Sequence, residues 1–95
     1  MAQRDYQNTR WIKTCSEFKS VRKAIDDDDY VSVLTQLIAI CDEYAKEEWD
    51  FAEDYERLSK DISDIDIDEA SDDDINYALD EFYDLCDNAK VWLDI

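Results

Sequence analysis

The sequence predicts an all-α protein, a compact bundle of three to four helices with an acidic loop before the last one. Three observations carry that prediction. The chain has neither glycine nor proline, where average usage would supply about 11 in a chain this long. Apolar residues recur at three- and four-residue spacing over most of its length. Acidic clusters fall where helices would start, and negative charge suits a helix N-terminus. Hairpin turns, bulges and left-handed caps lean on glycine, so its absence favours helices joined by short polar connections.

The 95 residues form a single domain spanning 1–95, enough for one hydrophobic core and not two. Aromatic residues make up 13% of the chain, which separates it from disordered acidic tails. Cys15, Cys41 and Cys86 are widely spaced, form no CxxC pair and have no histidine to complete a zinc site. Each falls on an apolar helix stripe, so they read as small buried hydrophobes in a reducing compartment. The polar N-terminus lacks the apolar region of a signal peptide, and no apolar run reaches about 18 residues. The expected location is the cytoplasm, with no membrane contact.

The first helix is expected over residues 5–24, with Trp11, Cys15, Phe18 and Ile25 in its stripe and Ile12 beside them. Arg22 falls inside that stripe, which predicts pairing with a carboxylate from a later helix. A second helix should begin near Asp28 or Asp29. Its stripe is Tyr30, Leu34, Leu37, Ile38, Cys41, Tyr44 and Ala45, continuing through Trp49, Ala52, Tyr55, Leu58 and Ile62. One helix of that length is unusual in so small a domain, so a bend is expected near residues 46–50. Residues 63–70 alternate Ile and Asp but have no second strand to pair with. They read as a loop with Ile65 and Ile67 turned inward. Ser71, with Asp74 three residues on, resembles a capping box. The last helix carries Ile75, Ala78, Leu79, Phe82, Leu85, Cys86 and Ala89, ending near Trp92.

The chemistry points away from catalysis. Without histidine there is no ordinary general base at neutral pH. Without glycine there is no phosphate-cradling loop, dinucleotide fingerprint or glycine-flanked nucleophile. No cofactor is implied. Asp64, Asp66 and Asp68 match the first three ligands of a calcium loop, but Glu69 replaces its glycine and Ile75 its final glutamate. A solvated acidic loop is the better reading, and no metal site is assigned.

What remains is charge. The chain holds 27 acidic and 10 basic residues, a net −17. Residues 1–25 carry six basic and two acidic side chains, a net +4; residues 26–95 carry four basic and 25 acidic, a net −21. Charge of this size opposes compaction. Some acids cap helices, but two sets lie in helix interiors. Glu43, Glu47, Asp50 and Asp54 follow at four, three and four residues, predicting one row. Asp73, Asp80, Asp84 and Asp87 predict another on the last helix. Like charges at that spacing cost about 0.2–0.5 kcal/mol per pair. Carboxylates four residues apart are offset by about 6 Å along a helix, close to the roughly 7 Å between successive phosphates of a nucleic-acid strand.

In composition and helical pattern the whole chain resembles the small acidic DNA-mimic inhibitors of phages and mobile elements, of the anti-restriction and anti-CRISPR kinds. The resemblance implies a non-catalytic inhibitor that binds no nucleic acid directly. Its partner would be a basic DNA-binding protein or an RNA-guided nuclease, whose arginine-lined PAM-reading site would be vulnerable. The two helix rows and the loop acids Asp64, Asp66 and Asp68 would meet that surface, paired with its arginines. The alternative is an immunity protein or antitoxin against a basic nuclease toxin, with Tyr44, Tyr55, Tyr77 and Tyr83 as aromatic anchors. A third reading is a chaperone of basic proteins or an acidic subunit. The basic first helix could neutralise acids within the fold or cross to a second copy, making a homodimer. The apolar end Val91, Trp92, Leu93 and Ile95 could seal that interface.

Overall fold

The computed structural model describes residues 13–94. In chain order these form β1 (Lys13–Cys15), α1 (Phe18–Asp26), α2 (Tyr30–Ala45), α3 (Ala52–Ser63), a 3-10 turn (Ile67–Glu69), α4 (Asp72–Asn88) and β2 (Val91–Leu93). The mostly helical architecture follows the apolar periodicity, with four helices among the described residues. The small sheet does not follow it, and its origin is long-range.

β1 and β2 pair in parallel, with Lys13 opposite Val91, Thr14 opposite Trp92 and Cys15 opposite Leu93. All four helices of the described residues lie between them in sequence. Three residues per strand are too few to show a period. Cys15, Val91 and Leu93 turn into the core while Thr14 and Trp92 face outward. The expected first helix is therefore corrected: residues 13–15 are strand, and the helix starts at Phe18. Trp11, Ile12 and the rest of 1–12 lie outside the described residues. Val91 and Leu93 are buried in their own fold, so they do not form the apolar seal expected of the chain end; Ile95 lies outside the described residues. The last helix stops at Asn88, short of Trp92.

Helix ends explain much of the local acidity. Asp29 caps α2, its carboxylate accepting from the Ser32 backbone N–H at 3.2 Å and the Ser32 hydroxyl at 2.8 Å. Ser71 and Asp74 form a complete capping box at the start of α4, satisfying two otherwise orphaned donors. The Tyr30 hydroxyl donates to the Asp72 carboxylate, joining the first turns of α2 and α4. That bond, more than any other influence, raises the phenol above its ordinary range. Left-handed backbone does occur without glycine. Asp28 (φ 55°) follows α1 and Lys90 (φ 58°) follows α4. Asp tolerates this region; Lys does so at a cost.

The core is one continuous cluster, mostly aliphatic, with aromatic pairs joining its helices. Phe18 of α1 stacks on Phe82 of α4, 5.8 Å between ring centroids and 6° between planes. Tyr44 of α2 meets Tyr55 of α3 edge-on at 5.1 Å and 88°. The bend expected between the halves of the long apolar stripe is present, as a break over residues 46–51. The stripe residues Leu34, Leu37, Cys41, Tyr44, Tyr55, Leu58 and Ile62 are buried on either side of it. Ile65 and Ile67 are half-buried against the core, as the Asp/Ile alternation suggests. Cys15, Cys41 and Cys86 are buried thiols. Arg22 departs from expectation: it is exposed and pairs with Asp26 in its own helix at 3.5 Å. Val21 and Ala24 hold the inner face instead.

Candidate partner-binding surface

The acidic side chains are distributed by the helices that carry them. α4 is unbroken from Asp72 to Asn88, so Asp73, Asp80, Asp84 and Asp87 do form a row, spaced by seven, four and three residues. All four are exposed. Asp73 lies in the first turn, where the helix dipole favours it. Asp80 and Asp84 lie beyond that turn and have no ion pair among the described residues. They remain there because nothing apolar is asked of that face: Ile75, Ala78, Leu79, Phe82 and Cys86 supply the buried one.

The other expected row is corrected. Glu43 is on α2, Glu47 and Asp50 are in the connection, and Asp54 opens α3. The helix break destroys the regular spacing. Two of the four are also neutralised: Glu47 by Lys13 at 2.7 Å and Asp54 by Arg57 at 3.6 Å. With Lys19 reaching Asp94 at 3.4 Å, the basic N-terminal part of the chain relieves acids inside the fold.

The loop acids are exposed but partly occupied. Asp64 ends α3, and Asp66 caps the 3-10 turn by accepting from the Asp68 backbone N–H at 3.1 Å. Among the described residues, no group of three or more metal-ligating side chains is arranged to hold a metal ion.

Tertiary packing assembles a different acidic surface. α3 and α4 flank an open groove of about 390 Å³, with Asp54 and Asp61 on the α3 side and Glu81 and Asp84 on the α4 side. Arg57 is the one cation in its lining, while Leu58 and Leu85 form apolar floor. Asp54 and Asp84, drawn from the two separate rows, thus share one site. Asp61 and Glu81 complete it and were absent from both rows. Asp61 stands seven residues after Asp54, two helical turns on, which was the available signal.

Tyr77 borders this surface and is 47% exposed. Partial desolvation, then Glu81 and Asp61, raise its phenol above the ordinary value. The other tyrosines behave differently. Tyr44 and Tyr55 are buried and cannot serve as surface anchors; Tyr83 is half-buried, packed at 5.6 Å from Phe18.

No helix of the described residues is long and apolar enough to cross a membrane. Comparison with family models, curated proteins and solved structures finds no match, so this surface is read from its own chemistry.

Proposed function

We propose that this protein is a non-catalytic inhibitor that occupies the basic nucleic-acid-binding surface of a nuclease or defence complex in place of DNA phosphates. The observation that carries the proposal is the α3–α4 surface. Asp54, Asp61, Glu81 and Asp84 line one open groove with a single cation, Arg57, beside the exposed Asp80. Asp54 lies in the first turn of α3 and already pairs with Arg57, but Asp61, Glu81 and Asp84 serve no cap, and their mutual repulsion is relieved when a cationic partner arrives. Such a partner would pair its arginines with the carboxylates. Association would be fast and weakened by salt.

The test is competition. Titrated into a complex of an RNA-guided nuclease with its target DNA, the protein should displace the DNA. Asp80→Asn with Asp84→Asn should weaken inhibition while leaving helical content unchanged. Tight binding to the nuclease with DNA occupancy intact would overturn the proposal.

One observation favours the immunity or antitoxin reading: Tyr77 stands exposed beside Asp61 and Glu81, the aromatic-among-acids pattern of protein-binding hot spots. Against a basic nuclease toxin, Tyr77→Ala should then cost more affinity than the Asp80/Asp84 double change.

A further inference from the structure

A second recess lies away from the α3–α4 groove. The β1–α1 turn and α2 enclose a cleft of about 270 Å³, with Ala39, Ile40 and Tyr44 from α2 and Glu17 and Glu43 at its polar margin. An adjoining hollow of about 220 Å³ shares Glu17, Glu43 and Tyr44 and adds Lys13 and Glu47. The protein's own Lys13 shows what this surface accepts. Its ammonium sits 4.7 Å from the centroid of the Tyr44 ring and 2.7 Å from the Glu47 carboxylate. That combines ion pairing with cation–π attraction. Glu17 and Glu43 border both recesses, yet neither has an ion pair among the described residues. The buried Tyr44 hydroxyl has no hydrogen-bond partner of normal geometry. The neighbouring Cys15 thiol donates to the Glu17 carboxylate at 3.7 Å, so Glu17 holds one weak bond and no charge partner among the described residues.

We propose that the α1–α2 cleft receives an arginine side chain from a basic partner protein. The stem lies on Ala39 and Ile40 and the guanidinium reaches Glu17 and Glu43. Two carboxylates from different elements suit a planar group with five donors, and an apolar floor suits a weakly hydrated cation with a long stem. Lysine, a compact and strongly hydrated charge, fits the two-carboxylate margin less well. The proposal rests on the reading that the partner is basic, and it adds a contact point on the side of α2 that the α3–α4 groove does not include.

The test is an NMR titration of the full chain, ¹⁵N-labelled, at low salt, with N-acetyl-arginine methylamide and its neutral isostere N-acetyl-citrulline methylamide. The arginine compound should shift the amides of Ser20, Gln36 and residues 39–44 to saturation, and the citrulline compound should not. Glu17→Gln with Glu43→Gln should weaken binding about tenfold, the worth of a charge-assisted contact. Ala39→Trp, at an exposed position, should fill the cleft and abolish the response. Equal shifts from both compounds would overturn the proposal. So would arginine shifts as large along α3 and α4 as in the cleft, which mark diffuse counterion binding. If Ala39→Trp does not fold, the glutamine pair and the neutral isostere still decide. Failed DNA competition with this titration intact counts against inhibition alone; a silent cleft with competition intact counts against the cleft alone.

Discussion

Trp49 stacks on Tyr55, 5.6 Å between ring centroids and 12° between planes, and its indole N–H donates to the Tyr44 carbonyl at 2.8 Å. One side chain in the connection thus holds the end of α2 and the start of α3 together. The Tyr44 carbonyl, at the end of α2, otherwise accepts a long bond from the Glu47 backbone N–H at 3.4 Å, and the indole supplies the shorter one. Phe51 packs against the same indole at 5.4 Å. The break in the long apolar stripe is therefore an aromatic clasp.

Trp49→Ala should destabilise the fold by about 2–3 kcal/mol. That is below the 3–5 kcal/mol of a fully buried aromatic, because Trp49 is only half-buried. Urea unfolding should show a lower midpoint. Trp49→Phe, which keeps the stacking but loses the N–H bond, should recover more than half of the loss. A midpoint unchanged in the alanine variant would show that the clasp contributes nothing.

Lys90 stands in left-handed backbone, at φ 58°, where a side chain clashes with the following carbonyl. Lys90→Gly should stabilise the protein by up to about 1 kcal/mol, the steric relief less glycine's unfolded-state entropy. Lys90→Ala removes the same charge but keeps the Cβ and should show no gain. Equal thermal midpoints for the two variants would assign any change to charge instead.

Alkali should unfold the protein earlier than its helices alone would suggest. Burial raises the Cys15 and Cys41 thiols above their ordinary 9.0, and the Tyr44 and Tyr55 phenols above their ordinary 10.0. The folded protein keeps these protons at pH values where the unfolded chain has lost them. Their contribution is whole below about pH 9 and declines as pH rises beyond it. Each group adds a slope of up to about 1.4 kcal/mol per pH unit. Circular dichroism should show a steep alkaline transition, moved upward in Cys41→Ala once stabilities are compared at neutral pH. Stability level from pH 9 to about 11 would contradict the sign of these shifts. By the same reasoning, thiol reagents should leave Cys41 untouched in the native protein, because burial suppresses the reactive thiolate.

Salt should act in opposite directions on folding and on binding. Raising NaCl from about 10 to about 200 mM shortens the screening length severalfold. It relieves the self-repulsion of a chain carrying −17, so the thermal midpoint should rise. The same salt should weaken the complex with a basic partner. Scanning calorimetry and binding measured over one salt series separate the two. Affinity indifferent to salt would remove the electrostatic basis of the proposed inhibitor.

The candidate surface was legible in part. Asp80 and Asp84 could be read from spacing because α4 is uninterrupted, and three- and four-residue steps along one helix are neighbours by geometry alone. Glu43 to Asp54 could not, because their alignment assumed a helix that Trp49 interrupts. Asp61 and Glu81 gain their importance only when α3 and α4 lie side by side. Likewise, nothing near Lys13 in sequence indicates that it pairs with Glu47, 34 residues away.

By itself the sequence determined the helical class, a cap at Asp28 or Asp29 and one at Ser71, the burial of Cys41 and Cys86 and the charge imbalance. These depend on composition or on residues within about one turn of each other, where periodicity and capping chemistry act. Tertiary structure alone decided that residues 13–15 pair with residues 91–93 instead of extending a helix. It also set where α2 ends, which acids the basic N-terminal residues neutralise, and which carboxylates converge between α3 and α4. Each of those outcomes sets a local preference against contacts between distant segments. In a core this continuous, burial of Cys15, Val91 and Leu93 outweighs the helical preference of a short stretch.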